Sequence, residues 1–353
     1  MKQIIARVLK EYSVLEKNRD SYNLERLGKY RLPVIKSVNH LLDVLGLSDE
    51  EDIYFYSHNR SVFSYNSFYI PKRNGGKRLI EAPCKELKIV LKAIDSVFFR
   101  HFELSSSCCA YIRGRSIIDN AFPHLGAKTL LKFDIHDFFP SINLQRIVYL
   151  FRYYGYGTNV SRCLGYLCVN KDYVLPQGAP TSPMISNLVS VRLDARINGY
   201  CKAHFNSFGL RYTRYADDIT ISSLKRLSKK DIETIRKTIN DIIIDEGFAP
   251  NYEKFKLFRN GQRMLVTSVN VNSNDCLHVD KKRIRKMEIS IHCMKKYGVE
   301  EHIKFLNKKE NTFWDSKSYS RHIFGLAFYI KMIDRKKGNK YLSELKRIFN
   351  TNE

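Results

Sequence analysis

The chain has 353 residues and a formal charge of +24, from 60 Lys and Arg against 36 Asp and Glu, with 44% hydrophobic and 12% aromatic content. That is enough apolar material to bury a core, which excludes a mainly disordered polymer, and no apolar run approaches the roughly 20 residues needed to span a bilayer. A cationic surplus of this size repels itself in a compact state unless a polyanion is near, so nucleic acid is the default partner and a membrane is not.

Residues 1 to about 50 are expected to be helical, with Ile4, Ile5, Val8 and Leu9 at helical spacing. The first turns lack both an apolar h-region and a small-residue cleavage site, and they carry Glu11 and Glu16. Neither a secretory signal nor a transit peptide is expected. Residues 65–70 are aromatic and β-branched and run into a Pro-Lys-Arg-Asn-Gly-Gly turn; residues 77–82 then predict the returning strand of a hairpin tipped with cations. An apolar stripe (Leu87, Val90, Leu91, Ile94, Phe98) predicts a helix over 87–99.

Further on, residues 130–134 predict a short apolar strand ending in Asp134. A helix is expected over 180–197, with Pro183 tolerable in its first turn. Residues 210–215 and 219–222 alternate around Ala216-Asp217-Asp218, a tight hairpin, followed by an amphipathic helix over 231–246 and a strand pair over 264–271. This succession describes an α+β domain, a small sheet with helices on one face. Residues 281–353 read as helical and hold 19 Lys and Arg against 8 acids, as a nucleic-acid clamp would. The eight cysteines include no Cys-x-x-Cys pair. Reduced thiols in a cytosolic protein fit them better than zinc or disulfides.

Three motifs carry chemistry. Phe133-Asp134-Ile135-His136-Asp137-Phe138-Phe139-Pro140 ends a strand in an acid followed by aromatics, and Tyr215-Ala216-Asp217-Asp218 puts two acids at a hairpin tip. Adjacent acids there repel one another unless a cation is present. Two divalent ions about 3.5–4 Å apart would serve phosphoryl transfer by gripping the entering and leaving oxygens, and hard oxygen ligands suit Mg²⁺. Between the two lies Leu175-Pro176-Gln177-Gly178-Ala179-Pro180-Thr181-Ser182-Pro183, a Gly-Pro turn opening a helix, which lets backbone come close to a ligand.

In this order, about 40 residues apart, the three motifs resemble the reverse transcriptase superfamily. The resemblance extends upstream to Gly76-Lys77-Arg78 and downstream to Gly247-Phe-Ala-Pro-Asn251-Tyr-Glu-Lys254, and covers residues 65–275. It implies a right-hand polymerase: N-terminal helices and helical/β-hairpin fingers in 1–130, a ferredoxin-like (split βαβ) palm in 131–275 with a fingers insertion about 141–174, and a basic α-helical thumb in 276–353. It also implies two Mg²⁺ ions, with Mn²⁺ as a substitute, held by Asp134, the Ile135 backbone, Asp217 and Asp218. The Asp137 backbone would meet the triphosphate, Phe139 would exclude a 2′-hydroxyl, Gln177 would line the deoxynucleotide pocket, and Lys77 and Arg78 would neutralise phosphates. Lys254 would protonate the departing pyrophosphate. At this length an RNase H, endonuclease or protease domain would find no room beside those parts.

Asn120-Ala-Phe-Pro-His124, ten residues before Asp134, is similar to an element of bacterial retron reverse transcriptases. Their second marker, Val-Thr-Gly, is matched by Val266-Thr267-Ser268, with serine where glycine would permit a positive φ. Gly325-Leu-Ala-Phe-Tyr329-Ile resembles their thumb helix. The retron resemblance implies a cytoplasmic bacterial enzyme that binds one structured non-coding RNA as template and primer. Synthesis would start from an internal 2′-hydroxyl, and the single-stranded DNA product would serve in anti-phage defence with an effector protein. Asn120, His124, Val266 and Thr267 would then contact RNA, with Lys281, Lys282, Arg283 and Arg285 on phosphates and Tyr297, Phe313, Trp314 and Tyr319 available for stacking. Alternatives are another stand-alone bacterial reverse transcriptase, of abortive-infection or group II intron type, and a non-catalytic RNA-binding scaffold.

Overall fold

The computed structural model describes residues 21–46, 65–71, 75–99 and 102–350. The helix expected at residues 1–20 and the cationic tip at 72–74 lie outside the described residues. Helix α1 (Leu24–Lys29) is capped by the Asn23 side chain and α2 (Val38–Val44) by Ser37. Strands β1 (Tyr65–Pro71) and β2 (Lys77–Pro83) pair antiparallel as a separate two-stranded sheet. Helix α3 (Lys85–Ile94) buries the expected stripe, but its continuation, Asp95–Phe99, winds as a π-turn instead of ending an α-helix.

Helix α4 (Ile117–Ala121) opens on a Ser116–Asp119 capping box and tightens into a 3₁₀ turn over Phe122–His124. After β3 (Thr129–His136) come α5 (Leu144–Tyr154) and α6 (Thr158–Cys168). The helix expected over 180–197 is two: α7 (Ser182–Val189) and α8 (Val191–Ala203). The break is at Ser190, whose hydroxyl donates to the Ser186 carbonyl at 2.8 Å, the back-bonding that bends helices. A short α9 (Phe205–Phe208) leads to β4 (Leu210–Tyr215), β5 (Asp218–Ser223), α10 (Lys229–Asp245), β6 (Ala249–Pro250) and β7 (Lys256–Arg259).

The central sheet runs β4-β5-β3, with β6 and β7 both paired to the far edge of β3, all antiparallel. Counting β6 and β7 as one position, this is the order of a split βαβ unit. Strand β3 is buried on both faces: Leu131, Phe133 and Ile135 enter the main helical core, while Leu130 joins a smaller cluster with Met264, Val266, Val269 and Val271. A strand's period of two therefore puts Asp134 on the Leu130 side, away from the helices. Strands β8 (Leu265–Val266), β9 (Val269–Asn270) and β10 (His278–Val279) form a third sheet. Thr267 and Ser268 turn between β8 and β9 with φ of 46° and 69°, so serine does take up the positive φ that glycine would adopt more easily.

The C-terminal helices α11 (Lys281–Tyr297), α12 (Val299–Glu310), α13 (Ser316–Ile333) and α14 (Arg335–Asn350) enclose their own core around Met287, Ile323 and Leu345. All eight cysteines are free thiols. Among the described residues no helix is long and apolar enough to cross a membrane.

Candidate active site

Asp134 and Asp218 stand directly opposite each other in the β3–β5 ladder, a pairing that puts Cβ atoms about 4.5–5.5 Å apart. The turn between β4 and β5 is tight because Ala216 takes a φ of 58°, and the Ile135 amide donates to the Asp217 carbonyl at 3.1 Å. N–H and C=O of one strand residue point the same way, so the Ile135 carbonyl also faces the hairpin. Burial, then the charges of Asp218 and Asp134, push the Asp217 carboxyl up to about 6. Burial likewise raises Asp218, with Lys132 opposing and Asp134 adding.

Lys254 Nζ donates to both oxygens of Asp134, at 2.8 and 2.9 Å, and Asn251 Nδ2 donates to Oδ1 at 3.1 Å. Burial disfavours the Lys254 ammonium, but Asp134 more than offsets this and raises its pKa. The acids thus attract a cation and already hold one. Among the described residues no three acids, histidines or cysteines close on one point by themselves. Mg²⁺ takes one or two carboxylates and fills its remaining positions with water and phosphate oxygens, and Asp134 facing Asp218 supplies that many. The donor set fits such an ion.

The acid turn is braced from beneath by a group the sequence reading missed. Arg214, fully buried, forms a fork on Asp194, Nε to Oδ1 and Nη2 to Oδ2, both at 2.7 Å. Its Nη1 donates at 3.2 Å to Asn187 Oδ1 and to the carbonyl of Ala216 inside the turn, and Tyr212 donates to Asp194 at 2.6 Å. Only the alternation of β4 carried a signal, since it points Tyr212 and Arg214 to one face and Thr213 to the other; an arginine there ordinarily reads as solvent-facing.

The Gln177 loop is docked on the first hairpin. Glu81 N–H donates to the Gln177 carbonyl at 3.0 Å, and the buried Glu81 carboxylate accepts from Asn170 Nδ2 at 3.0 Å to each oxygen. Gly178 has a φ of +143°, and a Cβ there would lie 2.6 Å from the Glu81 carbonyl oxygen. Arg78 and Lys77 are exposed on β2, with Lys77 Nζ 6.0 Å from the Tyr69 ring centre. Tyr111 is a second missed residue. Burial and then the Asp217 charge push its hydroxyl up, while Arg78 draws it down. Its ring stands 6.3 Å from that of Phe139, which is buried, whereas Phe138 packs on Phe248. Asp137 is exposed, at a φ of 44°, and pairs with His136 at 3.1 Å.

Three residues expected on RNA sit instead in the interior: Asn120, His124 and Val266 are buried. His124 bonds Ser222 Oγ at 2.7 Å through Nδ1 and Thr213 Oγ1 at 2.8 Å through Nε2, which leaves no ring nitrogen for a ligand. Asn120 Nδ2 donates to Thr267 Oγ1 at 3.3 Å, and the Tyr329 hydroxyl donates to the Ser268 carbonyl at 3.1 Å. The two marker motifs thus meet, and form a joint from the β4–β5 hairpin to α13. Lys281, Lys282 and Arg285 are exposed on α11, while Arg283 lies over the Tyr329 ring at 4.6 Å. Tyr319 is core, bonded to His302 at 2.9 Å; Phe313 is 95% exposed.

A family profile described as "Reverse transcriptase (RNA-dependent DNA polymerase)" matches residues 70–328. The retron Ec86 reverse transcriptase of Escherichia coli is 32% identical over 94% of this chain and 99% of its own length. The retron Mx65 reverse transcriptase of Myxococcus xanthus is 30% identical over 88% of this chain and 71% of its own. A more distant likeness is the apo telomerase of Candida tropicalis, with a TM-score of 0.40 and 13% identity over 62% of this chain and 55% of that one.

Proposed function

Because the chain belongs to the reverse transcriptase family, in its retron group, we propose that this RNA-directed DNA polymerase copies part of one bound, structured RNA into single-stranded DNA. In this reading synthesis is primed from an RNA 2′-hydroxyl in the bacterial cytoplasm, and the product acts with an effector protein against phage. In the same reading the fingers fall within 1–130, the palm is 131–275 with its insertion at 141–174, and the thumb falls within 276–353. The observation that supports the catalytic assignment is Asp134 standing opposite Asp218 in the ladder, with Asp217 in the adjoining turn bonded to the Ile135 amide and Lys254 on Asp134.

Asp134, Asp217 and Asp218, with the Ile135 carbonyl, would hold Mg²⁺, or Mn²⁺ in its place, which when bound polarises phosphate and lowers the pKa of the attacking hydroxyl. The residues do the rest. Arg78, with Lys77, offsets triphosphate charge, and Gln177 and the backbone near Asp137 orient the nucleotide. Phe139, backed by Tyr111, walls the sugar C2′ and rejects a 2′-hydroxyl. Lys254, which here donates to Asp134, would turn its ammonium to the departing pyrophosphate and give it a proton. Lys281, Lys282, Arg283 and Arg285 offer charge to RNA phosphates, with Thr267 near them. Asn120, His124 and Val266 act from inside, by fixing the joint.

Asp217→Asn should abolish Mg²⁺-dependent primer extension on an RNA template while leaving RNA affinity close to wild type. Extension at the wild-type rate would sink the metal assignment. Sequencing nucleic acid that co-purifies from the host tests the retron part; many unrelated RNAs with no attached DNA would argue for another stand-alone reverse transcriptase.

A further inference from the structure

We propose that a cavity between α1, α5 and the α7–α8 junction binds one unpaired nucleotide of the RNA, at a site separate from the catalytic cleft. The proposal rests on the reading of the chain as an RNA binder. Helix α5 turns Ile147, Leu150, Phe151 and Tyr154 into the core. Gln145, Tyr149 and Tyr153 recur every four residues and so share its outer face. Tyr149 is 69% exposed and Tyr153 47%, an unusual use of two large rings on one stripe.

Across from them the wall is aromatic as well. Tyr30 meets Tyr154 edge-on at 4.8 Å, Phe102 lies 4.6 Å from Tyr154, and the Tyr30 and Tyr153 hydroxyls are 3.5 Å apart. The enclosed volume is about 810 Å³, within the roughly 300–1,000 Å³ of small-ligand pockets. None of the three catalytic aspartates, nor Gln177 or Lys254, lines it.

Cations rim these rings. Lys29 Nζ lies 5.6 Å from the Tyr30 ring and the Arg26 guanidinium 5.7 Å from that of Tyr153, with Arg31 and Arg192 on the lining. Of the two acids present, Glu246 is matched by Arg196 at 3.0 Å and Arg192 at 3.4 Å, and Glu103 is exposed. The Arg192 side chain remains 81% exposed, so most of its donors stay available.

The chemistry selects the ligand class. A free inorganic anion would meet the cations and leave the rings uncovered, whereas an apolar peptide would do the reverse. A nucleotide offers a flat π-face for Tyr149 and Tyr153 and a phosphate for Lys29, Arg31 and Arg192. Its base must be unpaired, since bases within a helix have both faces stacked, and a structured RNA supplies such bases in loops and bulges.

The test uses the full chain with its cleft already filled by an annealed RNA–DNA primer–template. Binding of 4-thiouridine-containing rU12 is measured for the wild type, Tyr149→Ala, Tyr153→Ala and Tyr149→Phe. Both alanine variants should bind roughly 5- to 100-fold more weakly, Tyr149→Phe like wild type, and blunt RNA duplex equally in all four. Photo-crosslinks on the wild type should fall within residues 145–154. Undiminished rU12 binding, an equal loss for duplex, or crosslinks elsewhere would overturn the proposal. So would AMP alone occupying the pocket while rU12 binding ignores the tyrosines, because the source would then be a free nucleotide. Primer extension on poly(rA)/oligo(dT) is run alongside; it should be unchanged in Tyr149→Ala, and it reports on the polymerase reading independently.

Discussion

Replacing Gly178 by alanine perturbs the contact between the Gln177 loop and the first hairpin without touching an acid. A Cβ at this position would sit 2.6 Å from the Glu81 carbonyl oxygen, 3.1 Å from its carbon and 3.2 Å from Ile80 Cγ2, at a φ of +143°. The backbone conformation alone costs a residue with a side chain about 1–3 kcal/mol, and forcing atoms into packed space adds about 1–3 kcal/mol. The cheaper response is to lift the loop off β2, which forfeits the Glu81–Gln177 hydrogen bond and about 1 kcal/mol with it. The fold should therefore survive with a modest fall in melting temperature, while Gln177 is lifted away from β2, the strand that carries Arg78. Steady-state primer extension with titrated dNTP should show KM raised about tenfold, the equivalent of roughly 1.4 kcal/mol. Gly261→Ala is the control, since Gly261 has a φ of +94° and open space around it. If Gly178→Ala kept the wild-type KM, or Gly261→Ala matched its defect, the docking argument would be wrong.

Phe139→Val should raise ribonucleotide incorporation relative to deoxyribonucleotide about 10- to 200-fold, read from paired rNTP and dNTP extensions; unchanged selectivity removes the wall role. Asp194→Asn strips one partner from a buried ion pair and should cost about 3–5 kcal/mol in urea unfolding, whereas Asp194→Leu with Arg214→Met should cost less in stability yet still slow catalysis by freeing the Ala216 turn. His124 is fully buried, and burial, with Arg211 and Lys132 nearby, lowers its pKa from 6.5 to about 3. The unfolded chain therefore binds a proton that the folded one refuses between those values. Stability from neutral His124 is complete above about pH 6.5 and declines as pH falls toward 3, by on the order of a few kcal/mol. His124→Gln should flatten that part of a denaturation-versus-pH curve, and an unaltered slope would place the titration elsewhere.

The three candidate acids were legible because spacing and turn chemistry are local. Asp134 ends an apolar run, Asp217 and Asp218 interrupt an alternating pair, and the Gln177 loop is spelled by glycine and proline. The sheet's first three strands followed from the same alternation, but its last position did not: the strand pair expected over 264–271 lies in the separate sheet with β10, and β6 and β7 take the place beside β3. Harder to see was the break at Ser190, because a serine hydroxyl returning to its own helix leaves the hydrophobic period intact. The positive φ at Ser268 is a related case. Serine disfavours a positive φ by only a small energy, and two flanking pairs, Val266 with Val269 and Leu265 with Asn270, are enough to impose it.

Long-range packing decided the remainder. Nothing in the order of residues tells that Arg214 faces Asp194 in the interior, that Tyr111 stands near the Phe139 ring, or that His124 reaches Thr213 and Ser222 with both nitrogens; each requires segments far apart in sequence to meet. Composition pointed to a polyanionic partner, and motif spacing singled out the candidate acids, since both depend on residue type and on neighbours along the chain. Which polar groups are buried braces and which are open to a ligand was fixed only when the sheet closed over them, because burial is a property of the packed surface and not of any single stretch of sequence.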